Sequence, residues 1–91
     1  MISRLHPSFR RDFAKLPRDI QQRARAAYRR FKKDPAHPGL QFKRLHSKLP
    51  LWSVRFSESY RAVGVRKSDD EIVWFFVGTH AEYDRFLASL Q

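Results

Sequence analysis

The sequence contains no cysteine, and it has only nine acidic residues against nineteen basic ones. The lack of cysteine excludes disulfide bonds, thiolate chemistry and cysteine-based zinc sites. No apolar run approaches the roughly 20 residues that a membrane-spanning helix needs, and no signal-peptide pattern is visible. We therefore expect a cytoplasmic protein with no membrane contact.

Several catalytic arrangements are missing as well. The sequence has no Gly-rich phosphate loop, no paired carboxylates and no Ser/His/Asp set. Its four histidines are scattered, without the close pairing that metal ligands usually show, so we expect neither a metal nor a cofactor. The 91 residues predict a single domain, 1–91, whose core draws on thirteen aromatic side chains.

Positive charge is concentrated in the first half of the chain. Residues 1–48 hold fourteen basic and three acidic side chains, whereas 49–91 are nearly balanced. With a formal net charge of +10 and a pI near 10.9, this pattern indicates a polyanionic partner, most often nucleic acid. An acidic protein partner would satisfy the same field, and a solvated helix face that aids solubility is the simplest alternative.

Two amphipathic helices are predicted in this basic half. Pro7 suits the first turn of the first helix, which Pro17 ends. The second helix, over 18–33, carries an apolar stripe of Ile20, Ala24, Ala27, Tyr28 and Phe31. Such a helical hairpin needs a sheet to cover its apolar stripe.

The rest of the chain predicts that sheet and one more helix. Strands are expected at 1–6, 40–45, 51–56, 60–67 and 71–77, with turns at 57–59 and 68–70. Thr79 and Glu82 have the spacing of a capping box, so a short helix should begin there. The predicted fold class is α+β: an N-terminal helical hairpin packed on a small antiparallel sheet, with a short C-terminal helix.

Hairpins centred on the two turns fix the strand register. Trp52 and Trp74 then flank Gly64, whose missing side chain makes room for two indoles. Val54, Ala62 and Phe76 should share that face and pack against the helices. The opposite face is expected to carry a row of Arg55, Arg61 and Val77.

Two arginines facing each other across a strand pair repel, which favours an anion between them. The alternative is that one arginine pairs with a nearby carboxylate, of Glu58, Glu82 or Asp84. The register itself depends on the pairing, because a slip of one residue would move both arginines to the other face.

His80 lies at a helix N-terminus, just beyond the end of a strand. The helix dipole disfavours its protonated form, and free backbone N–H groups there can bind an anion. Tyr83, one turn on, could stack on a base or simply belong to the core. His46 is a second acid/base candidate or a surface histidine. The alternative for His80 is an ordinary first-turn residue.

Together these residues suggest a small, metal-independent ribonuclease. An imidazole or lysine would deprotonate a 2′-OH, and Arg55 and Arg61 would stabilise the charge on the phosphorane-like transition state. The candidate catalytic residues are His80, Arg61, Arg55, His46 and Tyr83. The candidate nucleic-acid-binding residues are Lys43, Arg44, Lys48, Arg29, Arg30 and Lys33.

The order of elements and three motifs resemble the RelE/ParE superfamily of toxins. The motifs are Trp52-Ser53-Val54-Arg55, Tyr60-Arg61-Ala62-Val63 and Val77-Gly78-Thr79-His80. Within that superfamily, the chain is most similar to the RelE/YafQ-like branch of mRNA interferases. The resemblance implies a type II toxin that enters the ribosomal A site, cuts mRNA and is inhibited by a small, acidic antitoxin encoded beside it.

The resemblance also assigns roles to residues. Arg61 matches the family's phosphate-stabilising arginine, and His80 matches the C-terminal basic or histidine position. Lys43, His46 and Lys48 fall where the family places lysines or a histidine before the sheet. Two alternatives remain: a ParE-like inhibitor of DNA gyrase, and a non-catalytic basic module that binds nucleic acid.

Overall fold

The computed structural model describes residues 1–90 of the predicted domain, and Gln91 lies outside the described residues. Two helices pack on one face of a five-stranded sheet, and a third helix follows the last strand. The elements are β1 (Ile2–Leu5), α1 (Pro7–Ala14), α2 (Arg18–Lys33), β2 (Lys43–Arg44), β3 (Leu51–Ser57), β4 (Tyr60–Ser68), β5 (Glu71–Thr79) and α3 (His80–Ser89). The predicted α+β class is confirmed.

The helical hairpin forms where the sequence predicts it. Pro7 occupies the first turn of α1, and the backbone N–H of Ser8 donates to Nδ1 of His6, 3.1 Å away. The side chain of Gln21 on α2 donates to the carbonyl oxygens of Phe13 and Leu16, which joins the two helices. None of the helices within residues 1–90 is long and apolar enough to cross a membrane.

The sheet is mixed, with strand order β1-β5-β4-β3-β2. Strands β2 to β5 are antiparallel to their neighbours as predicted, but β1 adds to β5 in parallel. Parallel pairing is possible because the helical hairpin and three strands separate β1 from β5 in the chain. The strand predicted over 40–45 was too long: Pro38–Leu40 form a 3₁₀ turn, and only Lys43–Arg44 pair with β3.

The row of two tryptophans around a glycine is confirmed. Gly64 pairs with Trp52 on one side and with Trp74 on the other. A Cβ atom at Gly64 would lie 2.8 Å from Cγ1 of Ile72 and 3.0 Å from Cε3 of Trp74. Because both neighbours are buried, this position admits only glycine without repacking the core.

Beyond this row, β5 departs from the predicted register. Gly64 pairs with Trp74 and Val63 with Phe76, so Phe75 is an extra residue in a β-bulge. The hydroxyl of Ser8 donates to the Phe75 carbonyl oxygen at 3.0 Å, which supplies a hydrogen-bond donor at the bulge.

The bulge shifts the end of β5 by one residue. Arg61 therefore pairs with Gly78 and not with Val77, and Val77 takes the place beside Ala62 that was predicted for Phe76. Both of those register predictions were wrong. Phe76 instead lies against Phe86 of α3, with ring centroids 5.3 Å apart.

The core lies between the helical hairpin and the sheet. Phe31 of α2 is 1% exposed and meets the edge of the Trp74 ring at a centroid distance of 5.4 Å. Around them lie Leu40, Val54, Ala62 and Ile72. This core holds β3, β4 and β5 in fixed register, and those strands carry the residues of the candidate site.

Candidate active site

Helix α3 begins at the end of β5 with a complete capping box. The Glu82 N–H donates to the Thr79 hydroxyl at 3.1 Å, and the Thr79 N–H donates to Glu82 Oε1 at 2.8 Å. The backbone N–H of His80 donates to the Ser59 carbonyl oxygen at 2.7 Å. The first residue of α3 is thereby fixed to the turn between β3 and β4.

Because of the capping box, the free energy of unfolding should depend on pH in the acid range. The Thr79 backbone N–H, then the Thr79 hydroxyl and the charge of Arg85, hold the pKa of Glu82 below its ordinary value of 4.5, although partial burial opposes them. A lowered folded-state pKa stabilises fully above the ordinary value and less as pH falls through the folded value. Glu82→Gln should therefore lose less stability than wild type on acidification below pH 4.5. Urea unfolding at several pH values measures this.

Glu58→Gln is the matched control, because Glu58 lies exposed in the β3–β4 turn and its side chain makes no capping bond. Its acid dependence should follow that of wild type. Identical curves for wild type and Glu82→Gln would show that the capping carboxylate contributes nothing to acid sensitivity.

Arg61 is bound to the same turn that receives His80. Its Nη1 donates to the carbonyl oxygens of Ser57 at 3.0 Å, Glu58 at 3.3 Å and Tyr60 at 3.0 Å. Among residues 1–90 no carboxylate forms an ion pair with Arg55 or Arg61, so the carboxylate pairing considered above is not observed. Arg61 keeps its positive charge uncompensated beside the start of α3.

The imidazole of His80 is exposed and faces the carboxylate of Asp84, one of three carboxylates named above as alternative partners for an arginine. Its Nε2 lies 3.4 Å from Oδ2 of Asp84, four residues on in α3. The two side chains form an ion pair whenever the ring is protonated. The spacing of four along a predicted helix was the sequence signal for this pair.

Tyr83 lies in the core between α3 and the sheet. It is 6% exposed, and its hydroxyl lies 3.5 Å from Oγ of Ser53, a residue that is itself buried. Its ring centroid is 6.2 Å from that of His80. Of the two interpretations weighed for Tyr83, the core position is the one the structure shows, and the hydroxyl does not reach the surface.

His46 contributes to a different part of the molecule. Its Nδ1 accepts from the backbone N–H groups of Lys48 and Leu49, both at 3.0 Å, and shapes the connector before β3. The neighbouring Leu45 N–H donates to the Leu51 carbonyl at the start of β3, whereas His80 follows β5 beside the other end. The length of β3 separates them, about 20 Å at 3.3 Å per residue, so the structure does not bring His46 to His80.

The remaining predicted contacts with nucleic acid lie on two exposed segments. Lys43 and Arg44 form β2, and Lys48 lies in the connector between β2 and β3. Arg29, Arg30 and Lys33 lie on α2. Arg55 pairs with Arg61 in the register predicted for it. Arg55 also lines a recess together with Arg23 and Arg30 of α2. Arg23 was not among the predicted site residues.

The structure thus brings Arg61 and His80 together around one β-turn at the end of the sheet. The chain is thus a small basic domain with a helical hairpin on a sheet and a cationic and an imidazole side chain at this corner. The model of the ParE-like toxin domain family matches residues 18–85, three quarters of the chain, and the chain belongs to that family. The predicted membership of the RelE/ParE superfamily is confirmed.

Three chains of solved structures match this one, and two of them illustrate the shared fold. One is the toxin-antitoxin complex RelBE2 from Mycobacterium tuberculosis, with a TM-score of 0.68, 23% identity, and coverage of 87% of this chain and 96% of that chain. The other is a copper-bound mutant toxin from Helicobacter pylori, with a TM-score of 0.60, 24% identity, and coverage of 90% and 97%. A comparison with curated proteins gives no significant match.

Proposed function

We propose that this chain is the toxin of a type II toxin-antitoxin system and that it cleaves mRNA on the ribosome, in the cytoplasm. The observation that carries the proposal is the convergence of Arg61 and His80 on the turn at 57–60. The His80 side chain is exposed and that of Arg61 is partly exposed. Membership of a toxin-domain family supports the biological role.

The chemistry proposed for this corner is transesterification without a metal. A proton leaves the 2′-OH, the 2′-oxygen bonds to phosphorus, the bond from phosphorus to the 5′-oxygen breaks, and that oxygen takes up a proton. Arg61 stabilises the negative charge that gathers on the phosphoryl oxygens. His80, with the Asp84 carboxylate 3.4 Å from its Nε2, transfers one of the two protons, and solvent water transfers the other.

The basic segments supply the contacts that hold the RNA. We assign the phosphate backbone to Lys43, Arg44 and Lys48 near β2 and to Arg29, Arg30 and Lys33 on α2. A formal charge of +10 attracts RNA without regard to sequence, and the affinity should fall steeply with salt. His46 then acts by shaping the connector that carries Lys48 and not by proton transfer.

An acidic antitoxin is the second proposed partner. An apolar cleft of about 440 Å³ lies between the helical hairpin and the sheet, and Phe9, Phe13 and Tyr28 are among its lining residues. Arg10 and Arg25 also line it. A segment with apolar side chains among acidic ones would complement both the surface and the charge of this cleft, and the Mycobacterium tuberculosis structure is that of a toxin-antitoxin complex.

Inducing the chain without its antitoxin should arrest growth by stopping translation. Primer extension on mRNA from induced cells should show new 5′ ends, and these should disappear when ribosomes are kept off the message. A purified ribosome assay should reproduce the same ends without added metal beyond that which the ribosome needs. Growth arrest with intact mRNA would contradict the ribonuclease proposal.

Inhibition of DNA gyrase is the second candidate function, because the matching family model is named for ParE. The same induction experiment separates the two candidates. A gyrase inhibitor would leave translation normal at first and change the supercoiling of a reporter plasmid. His80→Ala would then leave toxicity unchanged, whereas a ribonuclease should lose it.

A further inference from the structure

A second basic feature lies away from the His80 corner, between α2 and the edge of β3. It is a recess of about 210 Å³ that three arginines line: Arg23, Arg30 and Arg55. The rest of the lining is small or apolar, with Ala26, Ala27, Gly39, Leu40 and Phe56. No acidic residue contributes to it.

The fold explains why these residues meet. Arg23, Ala26, Ala27 and Arg30 recur at i, i+3, i+4 and i+7, so they form one stripe along α2, with two alanines between the two arginines. On the opposite wall, β2 pairs only with Trp52 and Ser53. The edge of β3 is therefore uncovered at Arg55 and open towards α2.

Gly39 keeps the space around Arg30 open. A Cβ atom built on Gly39 would lie 3.8 Å from Nη1 of Arg30 and 3.2 Å from the ring of His37. Any larger side chain there would occupy volume beside the Arg30 guanidinium. The turn Pro38–Leu40 thus places a residue without a side chain beside the Arg30 guanidinium.

Several arginines have a hydrogen-bond or ion-pair partner within residues 1–90, whereas these three, like Arg18 and others on the surface, have none. Arg4 pairs with Glu71 at 3.1 Å, and Arg61 and Arg66 donate to backbone carbonyl oxygens. Within residues 1–90, the side chains of Arg23, Arg30 and Arg55 form neither ion pairs nor hydrogen bonds. Three like charges around one small recess repel one another unless an anion binds between them.

We propose that Arg23, Arg30 and Arg55 form a binding site for a single phosphate group. Guanidinium groups fit phosphate because each donates two parallel hydrogen bonds. Phe56, which is partly exposed, gives the sugar or base attached to that phosphate an apolar surface. The phosphate belongs either to a mononucleotide or to an RNA strand, and the site assigns Arg55 to binding rather than to the scissile bond at His80. The proposal does not depend on ribonuclease activity.

Phosphate titration of the purified full-length chain tests the site. Nuclear magnetic resonance of the arginine Nε–Hε groups should show saturable shifts for Arg23, Arg30 and Arg55 as inorganic phosphate is added. Arg55→Gln and Arg23→Gln should each weaken phosphate binding about tenfold or more, because a charge-assisted, bidentate contact is lost. Circular dichroism and thermal unfolding establish that each variant is folded.

Arg18→Gln is the matched control. Arg18 lies on α2 and is exposed, and its replacement removes the same charge, but it does not line the recess. The phosphate affinity of the Arg18→Gln variant should stay within about twofold of wild type at fixed ionic strength. Equal weakening by Arg18→Gln and Arg55→Gln would show diffuse attraction to a basic surface and would overturn the proposal.

Competition distinguishes the two sources of the phosphate. Adenosine 5′-monophosphate and a short RNA without terminal phosphates are each added to the phosphate-bound protein, and the Arg55 resonance is followed. Displacement by the nucleotide alone assigns the site to a terminal phosphate. Displacement by the RNA assigns it to a phosphodiester of a bound strand, and the Arg55→Gln variant should then bind that RNA with a smaller salt dependence.

Discussion

An Arg61→Ala variant is expected to cleave ribosome-bound mRNA at least about 100-fold more slowly than wild type. The loss follows from removing the guanidinium that bonds to the same turn as the His80 backbone, since a preorganised donor to a developing oxyanion typically contributes a factor of 10²–10³. Single-turnover cleavage of a defined message on stalled ribosomes measures the rate without the complication of product release.

His46→Ala is the control for that loss. His46 shapes the connector at the other end of β3, and its replacement should reduce the cleavage rate much less than Arg61→Ala does. Because Arg61 also bonds to the β3–β4 turn, the thermal unfolding of Arg61→Ala must be measured beside its rate. A folded Arg61→Ala variant that cleaves as fast as wild type would remove Arg61 from the mechanism.

The parts of the site that the sequence predicted correctly depend on local signals. Thr79 and Glu82 are three residues apart and form the capping box that places His80 at the start of α3. The pairing of Arg55 with Arg61 follows from a short hairpin around Glu58, which leaves few choices of register. Over such distances, the backbone geometry of a turn or a helix start determines which side chains are neighbours.

The incorrect predictions arise where contacts between residues far apart in the sequence determine the strand pairing. Phe75 lies within an unbroken apolar run, so no change of period marks it as the bulged residue; the hydroxyl of Ser8, far away in the sequence, bonds to its carbonyl oxygen. The position of Arg55 depends on how little of β3 is covered by β2. The length of β2 and the position of α1 are set by residues that lie far in the sequence from Arg55 and Phe75.

Differences in burial explain why Tyr83 is a core residue whereas His80 remains a candidate catalytic residue. Both follow the same strand, and the spacing of Tyr83 with Phe86 and Leu87 is that of an apolar, core-facing helix stripe. The buried hydroxyl contact to Ser53 is consistent with that stripe. His80 lies off the stripe and stays exposed, so only the polar residue at the helix start remains available for chemistry.

Trp74→Ala should destabilise the domain by about 3–5 kcal/mol, the usual cost of removing a buried aromatic side chain. Trp74 is 4% exposed, meets Phe31 edge-on, and donates from Nε1 to the Ser3 hydroxyl at 2.8 Å. Removing it opens a cavity in the core and also removes the side-chain hydrogen bond between β5 and Ser3 of β1. Since a domain of this size has a total stability of only about 5–14 kcal/mol, chemical denaturation should show a variant close to unfolding.

Trp52→Ala is the matched control, because Trp52 occupies the same row on the other side of Gly64. Trp52 is only half-buried, and one of its faces is covered by the guanidinium of Arg66, with Cζ 4.7 Å from the ring centroid. The flexible Arg66 side chain can move towards the alanine and fill part of the cavity. The loss of stability should therefore be at least about 1 kcal/mol smaller than for Trp74→Ala. Equal losses would mean that the two indoles are buried alike in solution, and that the core extends across the row to the β2 edge.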